Sequence, residues 1–322
     1  MTEALPFVSV IIPVYNGAGV ISACLDSLEE LDYPKESFEI IIVDNGSTDQ
    51  TVELAGRYTD SIYIRPDATI SALRNYGAKK ARGEIYAFID ADCVADKKWL
   101  RNAVKLLREE PCITGSKYDI PDNAVWIERA WYAQRPSGKI EVTYINSGNL
   151  IVPADIFAKT AGFNEKLITG EDYEFCTRAG RVARILSDDS IRVVHLGNPR
   201  TLRQFFRREI WHGLGAFGSF QMKKFDKPLM GTIAMGFLSV AQIISLVFYI
   251  FRGEYELLVS SSAGVFLLLG MTVHERAKKF RLAPIRKVQL LFLYYLYFTA
   301  RAVSLVYLVS NRKPGYRKHA KV

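Results

Sequence analysis

The stretch E-I-Y-A-F-I-D-A-D-C, residues 84–93, holds two aspartates two positions apart. Asp90 and Asp92 close a short run, Ile85–Ile89, whose β-branched and aromatic residues predict a buried strand. Alternate side chains of a strand share a face, so both carboxylates can project from its carboxyl end. Two carboxylates there repel and are costly to desolvate unless a cation joins them. A hard divalent ion that keeps waters and takes phosphate oxygens suits such a pair. The plain alternative is that D-A-D merely opens the turn before a helix over Asp96–Leu107.

Such groups need a framework, and the flanking pattern supplies one. Phe7–Val14 is a buried strand ended by Pro13, Phe38–Val43 a second and Ile62–Arg65 a weaker third. Helical spacing runs over Ile21–Leu31, from Thr51 to Arg57 and over Ser71–Ala81, which carries Arg74 and Asn75. Strands alternating with helices at this interval predict an α/β fold with a mostly parallel sheet covered on both faces. Polar loops follow the strands at residues 15–17, 44–49 and 90–92. All three are expected on one edge of the sheet, where open α/β sheets bind ligands. Farther on, Ile145–Val152 reads as a strand, Asp172–Gly180 as a helix and Ile191–Val194 as a strand followed by His195. Asp49 and Asp172 each stand where a carboxylate caps a helix. The aromatic residues Trp126, Trp131, Tyr132 and Tyr144 suit a sugar or lipid surface and core packing equally.

The chain has 322 residues and a formal net charge of +8; its first 200 residues have a soluble composition, and its last 95 hold long apolar runs. A basic excess can serve nucleic acid or anionic lipid. Its place beside apolar runs favours lipid, and with no reader motif nucleic acid is set aside. Cys24, Cys93, Cys112 and Cys176 form no C-x-x-C, as expected of small buried side chains in a reduced compartment. The opening M-T-E-A-L-P-F lacks the features of a secretory signal, so the first 200 residues are expected to stay cytoplasmic. P-V-Y-N-G follows the first strand where a dinucleotide enzyme would carry G-x-G-x-x-G, which disfavours a nicotinamide dehydrogenase.

Four motifs occur in order: S-V-I-I-P-V-Y-N at 9–16, V-D-N-G-S-T-D at 43–49, D-A-D at 90–92 and G-E-D at 170–172. Together they resemble the signature of the family 2 glycosyltransferases, over roughly residues 7–215. The resemblance implies a GT-A nucleotide-sugar-binding fold and an inverting transferase that uses a nucleoside-diphosphate sugar with Mg²⁺ or Mn²⁺. It implies that Pro13, Tyr15 and Asn16 line the nucleotide pocket and that Asp44 contacts the base. Arg74 would lie near the diphosphate, Asp90 on the ribose side and Asp92 on the metal, with His195 able to approach it. Asn149 would flank the sugar pocket, and Glu171 would position acceptor or sugar or stand in for Asp172 as the base. Asp172 would be the base that takes the proton from the acceptor hydroxyl. Bland roles compete: Asp44 as a turn cap, Arg74 on a solvated helix face, His195 as an ordinary half-buried histidine. The physical logic needs no family name. A diphosphate leaving group gains negative charge as the glycosidic bond breaks, and a divalent cation with a nearby arginine stabilises it.

Beyond residue 200 the chain changes character. Thr201–Phe220 mixes Arg203, Arg207 and Arg208 with Phe205, Phe206 and Trp211, as suits a helix in a lipid headgroup region. Trp211 stands in R-R-E-I-W where processive relatives carry Q-x-x-R-W, which argues for transfer of a single sugar. Arg207 or Arg208 would reach an acceptor phosphate, or form a solvated basic face. Pro228–Phe251 and Leu257–Val273 are uncharged runs that predict a membrane hairpin. Arg276, Lys278, Lys279, Arg281, Arg286 and Lys287 then place the following loop back in the cytoplasm. Val288–Val309 is long enough to span, but Arg301 within it must pair or line a polar cavity and its basic tail disobeys the same charge rule, so it either spans with Arg301 facing the bundle or lies re-entrant or tilted.

The expected organisation is a GT-A domain over residues 1–199, an amphipathic interfacial segment over 200–227 and a transmembrane region over 228–322, with helices at about 228–251, 257–273 and 288–309. The expected function is transfer of one sugar to a membrane-associated, lipid-linked acceptor at the cytoplasmic face of the cell membrane. Two alternatives stay open. One is a polyprenyl-phosphate sugar synthase acting on the bare lipid phosphate; the other is a catalytically silent membrane scaffold that keeps the fold.

Overall fold

The structure is a computed structural model that describes residues 5–134, 137–167, 169–221 and 227–309. The chain divides into two compact units, one built from Met1–Asn123 with Arg135–Asn198, the other from Ala124–Gln134 with Pro199–Tyr316.

In the first unit β1 (Val8–Val14), α1 (Ile21–Glu29), β2 (Phe38–Asp44), α2 (Thr51–Ala55), β3 (Ile62–Ile64), α3 (Ile70–Lys80) and β4 (Ile85–Ile89) alternate as the pattern predicts. β5 (Cys93–Ala95), α4 (Trp99–Glu109) and β6 (Cys112–Gly115) come next. α5 (Trp126–Trp131) belongs to the second unit, and β7 (Lys139–Glu141), β8 (Asn149–Pro153), α6 (Ala154–Lys159), α7 (Glu171–Ala179), β9 (Arg184–Asp188) and β10 (Val193–His195) complete the first.

The main sheet has eight strands in the order β3-β2-β1-β4-β8-β6-β9-β7. Strands β3, β2, β1 and β4 are mutually parallel, and β6 runs parallel to β9. The exceptions are β8, antiparallel to β4 and β6, and β7, antiparallel to β9. β5 and β10 pair separately, antiparallel, with His195 opposite Cys93. Pro13 is tolerated in β1 because pairing with β4 stops at Ile11, so its missing N–H interrupts no ladder on that side.

Burial on both faces explains the continuous apolar strands. Val8, Val10, Ile12 and Val14 of β1 pack with Ile21, Leu25 and Leu28 of α1 and with Trp99 and Leu100 of α4. On the opposite face Ile11 joins Phe88, Phe157, Phe163 and Phe175. Helix α3 approaches the sheet closely because Gly77 has no side chain. A Cβ there would stand 2.4 Å from the Ile11 Cγ2 methyl. That close seat brings Arg74, three residues earlier on α3, against the sheet edge.

The second unit consists of α5 and four long helices: α8 (Leu202–Gln221), α9 (Lys227–Arg252), α10 (Glu256–Phe280) and α11 (Pro284–Val309). Phe205 packs with Ile127, Ala130 and Leu293, and Met235 with Val265, Leu269 and Phe298. Arg203 and Arg207 of α8 are exposed while Phe205 is buried, as an amphipathic helix requires. Arg301 is paired, as its place in an apolar run demands: its guanidinium lies 3.3 Å from the buried Glu209 and stacks over Tyr297. The second apolar run extends further than its uncharged part. Arg276, Lys278 and Lys279 lie inside α10, where cations near a carboxyl terminus complement the helix dipole.

Among the described residues two helices, Leu229–Arg252 and Glu256–Phe280, are long and apolar enough to cross a membrane. The third expected span is not one of them; α11 carries Arg286, Lys287 and Arg301. Large apolar side chains stand exposed along α9 and α10, among them Phe237, Ile243, Ile250, Phe251, Phe266 and Leu267. Exposed apolar surface on this scale marks an interaction face.

Candidate active site

The carboxyl end of β4 and the amino end of α7 meet in the first unit. Asp90 follows β4 and Glu171 opens α7, and the buried Arg74 of α3 joins them. Its Nη2 donates to Asp90 Oδ1 at 2.6 Å and its Nη1 to Glu171 Oε1 at 2.8 Å. Burial opposes the charge on this guanidinium, and the two carboxylates outweigh that and keep it protonated. Arg74 is not on a solvated face: it is a buried tie between the strand end and the helix start. Its Nε has no hydrogen-bond partner among the described residues.

Asp172 is partly buried beside Glu171. Its Oδ1 accepts the Tyr173 backbone N–H at 2.7 Å and its Oδ2 accepts Asn146 Nδ2 at 3.2 Å. Desolvation and the adjacent Glu171 push the carboxyl up to about 6, against the pull of the Tyr173 N–H, Arg74 and Asn146. A carboxylate with this value is ionised at neutral pH yet basic enough to accept a proton. The exposed Tyr144 ring packs edge-on against Tyr173 at 5.7 Å, so an aromatic pair lies beside the carboxylate. By contrast, Trp131 packs against Phe205, Tyr294 and Tyr297 within the helical unit.

On the other side of Asp90, Asp92 and His195 are both buried, with His195 Nε2 3.2 Å from Asp92 Oδ2. The β5–β10 pairing creates this contact, and neither three-residue strand has a legible periodicity. Cys93 stands close by, and one ligand atom from each of Asp92, Cys93 and His195 lies within 4.8 Å of the others. Cys93 was expected only as a small buried side chain. Burial and Asp92 push its thiol well up, and a soft sulfur is a poor partner for a hard ion. The Asp92–His195 pair does fit one: two ligands bound at about 2.1 Å in adjacent positions stand about 3.0–3.4 Å apart. The space is kept open by Gly197, where a Cβ would fall 1.9 Å from Asp92 Oδ2.

The nucleotide-side residues form the loops after β1 and β2. Pro13 is buried in β1, and Tyr15 and Asn16 follow it. Asn16 takes a left-handed backbone, and its Oδ1 accepts the Thr48 N–H at 2.8 Å, tying the two loops together. Asp44 is fully buried, and its carboxylate accepts the N–H groups of Gly46 and Ser47 and the Ser47 hydroxyl. It therefore shapes its own turn. Asp49 accepts the Thr51 N–H at the start of α2, as expected. Desolvation raises this carboxyl, and its bonds to Thr51 and Ala18 together outweigh that and hold it below the usual carboxylate range.

Asn149 flanks no open pocket among the described residues. It is fully buried, its Oδ1 accepts Trp99 Nε1, and its Nδ2 is shared among Ser116 and the Ile191 carbonyl. The expected strand over 145–152 begins only at Asn149, because Asn146, Ser147 and Gly148 form the turn before it. The residue of that segment that touches Asp172 is Asn146. Arg207, Arg208 and Trp211 belong to the second unit, on α8; Arg207 is exposed, and Arg208 Nε lies 3.2 Å from His212 Nε2.

The model of glycosyl transferase family 2 matches residues 9–167, which span β1 to the loop before α7. Over those residues the chain is similar to glycosyl transferase family 2. Glycosyltransferase AglE of Haloferax volcanii is 34 % identical over 191 residues, which is 56 % of this chain and 63 % of the relative. A dolichyl N-acetyl-alpha-D-glucosaminyl phosphate 3-beta-D-2,3-diacetamido-2,3-dideoxy-beta-D-glucuronosyltransferase of Methanococcus voltae is 28 % identical over 192 residues, 52 % of this chain and 60 % of the relative. The chain thus spans less than two thirds of the length of either relative. The mannosyltransferase PcManGT from Pyrobaculum calidifontis, solved with GDP-Man and Mn²⁺, shares the fold, with a TM-score of 0.61 at 18 % identity over 97 % of this chain and 89 % of that one. The α/β domain is therefore of the GT-A type.

Proposed function

We propose that this protein transfers a single sugar, with inversion, from a nucleoside-diphosphate sugar to a hydroxyl of a membrane-associated, lipid-linked acceptor. The observation that carries the proposal is the junction of Asp90, Arg74, Glu171 and Asp172, which puts a donor-side carboxylate and a raised-pKa base on one short chain of contacts.

In this reading Asp92 and His195 hold Mg²⁺ or Mn²⁺, which when bound offsets the charge that develops on the diphosphate. The GDP-Man and Mn²⁺ bound to the Pyrobaculum calidifontis mannosyltransferase and the dolichyl-linked sugar named for the Methanococcus voltae transferase support a nucleotide-sugar donor and a lipid-linked acceptor. Tyr15, Asn16 and the Asp44 turn line the nucleotide, and Asp90 faces its ribose. Asp172 Oδ2 accepts the acceptor's hydroxyl proton as the new C–O bond forms and the bond to the phosphate oxygen breaks. Glu171 is held by Arg74 and Ser147 and so positions the helix start that carries Asp172. The exposed apolar faces of α9 and α10 support insertion in a bilayer; in this reading the α/β domain lies on the cytoplasmic side and the basic face of α8 at the headgroups.

The raised Asp172 weighs against the reading in which bare lipid phosphate attacks, because an ionised phosphate needs no base. The test is thermal unfolding of the detergent-purified protein against UDP, GDP, dTDP and CMP, with and without Mn²⁺. A ligand that binds the folded state raises its apparent stability. A metal-dependent rise with one nucleotide is expected. A folded protein that responds to none of them refutes the donor site and leaves the silent-scaffold reading.

A further inference from the structure

We infer that Tyr118 is a positioning residue that aligns the ribose-side carboxylate Asp90 with the cation ligand His195; the inference rests on the donor-site reading above. Tyr118 follows β6 and faces both groups. Its hydroxyl donates to Asp90 Oδ2 at 3.4 Å and accepts the Gly148 N–H at 3.0 Å. Its ring stacks on the His195 imidazole, with centroids 4.8 Å apart and planes 25° from parallel.

The stack matters because of what His195 lacks. A histidine that ligates a metal almost always has its second ring nitrogen held by a hydrogen bond, which fixes the plane of the ring. The buried His195 Nδ1 has no such partner among the described residues. The face of Tyr118 supplies the constraint instead. The backbone is built for this contact: the Asp119 N–H donates to the Val193 carbonyl at 2.8 Å and the His195 N–H to the Asp119 carbonyl at 3.0 Å. These two bonds hold the segment carrying Tyr118 against β10.

The hydroxyl end is equally specified. A Cβ on Gly148 would lie 2.4 Å from Tyr118 Oη and 2.3 Å from Asp90 Oδ2, so only glycine lets the three groups meet. Gly148 continues into Ser147 and Asn146, whose side chains reach Glu171 and Asp172. One phenol therefore links the cation ligand, the ribose-side carboxylate and the turn beside the base.

The two ends of Tyr118 make separable predictions. Tyr118→Phe keeps the stack and loses the hydroxyl. It is expected to leave the Mn²⁺ concentration for half-maximal thermal shift within about twofold of wild type, at saturating UDP or GDP, while weakening the nucleotide about tenfold in excess Mn²⁺. Tyr118→Leu and Tyr118→Met lose the ring and are expected to raise the Mn²⁺ midpoint about 10–100-fold. A merely structural role would lower the melting temperature of the ligand-free variants and leave both midpoints in place. Wild-type midpoints in all three variants would overturn the inference while the donor site stands. Equal Mn²⁺ midpoints for the Phe and Leu proteins would overturn the role of the stack. A wild-type protein whose stability ignores every nucleotide with Mn²⁺ would overturn this inference and the donor site together.

Discussion

Replacing Asp172 by asparagine should remove activity and stabilise the fold, and the two effects come from one cause. The carboxyl stands at about 6 instead of an ordinary 3.8 because burial and Glu171 oppose its ionisation. At about 1.4 kcal/mol per pH unit, keeping it charged at neutral pH costs the fold at most about 3 kcal/mol. The sign follows from proton binding. Between about pH 4 and 6 the folded state holds a proton that the unfolded state has released, so stability falls as pH rises through that window. Above it the cost is complete, and below it the cost is absent. The amide introduced by Asp172→Asn carries no charge, and its oxygen can still accept the Tyr173 N–H. At about pH 7.5 the variant should melt several degrees above wild type, since about 1 kcal/mol moves a domain of this size by about 2–4 °C. At about pH 4 the difference should vanish or reverse. Turnover should fall by about 10²–10⁴, the usual worth of a general base. Wild-type kcat/KM should rise with pH through about 6, with a log–log slope of one. The assays are thermal unfolding of both proteins from about pH 4 to 8 and transfer kinetics across the same range. A melting difference that ignores pH would refute the assignment of a costly charge to Asp172. A variant that retains turnover would refute its role as base.

Two further outcomes follow from the same contacts. Arg74→Met strands Asp90 and Glu171 without their shared cation. Unfolding of the ligand-free protein should show a loss of about 3–5 kcal/mol, the usual cost of breaking a buried pair, whereas a change under about 1 kcal/mol would contradict the tie. Gly197→Ala forces a methyl onto Asp92 Oδ2; the Mn²⁺-dependent part of the nucleotide thermal shift should disappear while the ligand-free melting temperature drops by only a few degrees. Retention of that metal-dependent shift would show that Asp92 has room to move.

The residues legible in the sequence are those whose surroundings are set by their own local stretch. Asp90 and Asp92 end an apolar strand, and Asp172 opens a helix after Gly170; both positions follow from a few neighbouring residues. The parallel half of the sheet, β3-β2-β1-β4, follows likewise from strand–helix alternation. What stayed hidden depends on pairing across the chain. β5 and β10 are three residues each, too short to show a period, yet their register sets Cys93 opposite His195. Tyr118 gains its meaning only from that register. Asn149 has the same side chain whether it lines a pocket or fills a core, and Trp99 and Ser116 decide for the core. Arg301 looked anomalous until Glu209 of α8 supplied its partner.

Charge balance ties the legible and the hidden residues together. Asp90, Glu171 and Asp172 lie around the Arg74 guanidinium, which is ion-paired to the first two, and Asp92 follows two residues after Asp90. The charge of Arg74 is thus already balanced by Asp90 and Glu171. A dianionic donor approaching this cleft meets net repulsion unless a cation arrives with it or before it. The proposed divalent ion at Asp92 and His195 is then needed for donor entry as well as for the leaving group. Nucleotide affinity should accordingly collapse when the ion is chelated, and it should respond far less to loss of any single neutral contact in the loops after β1 and β2.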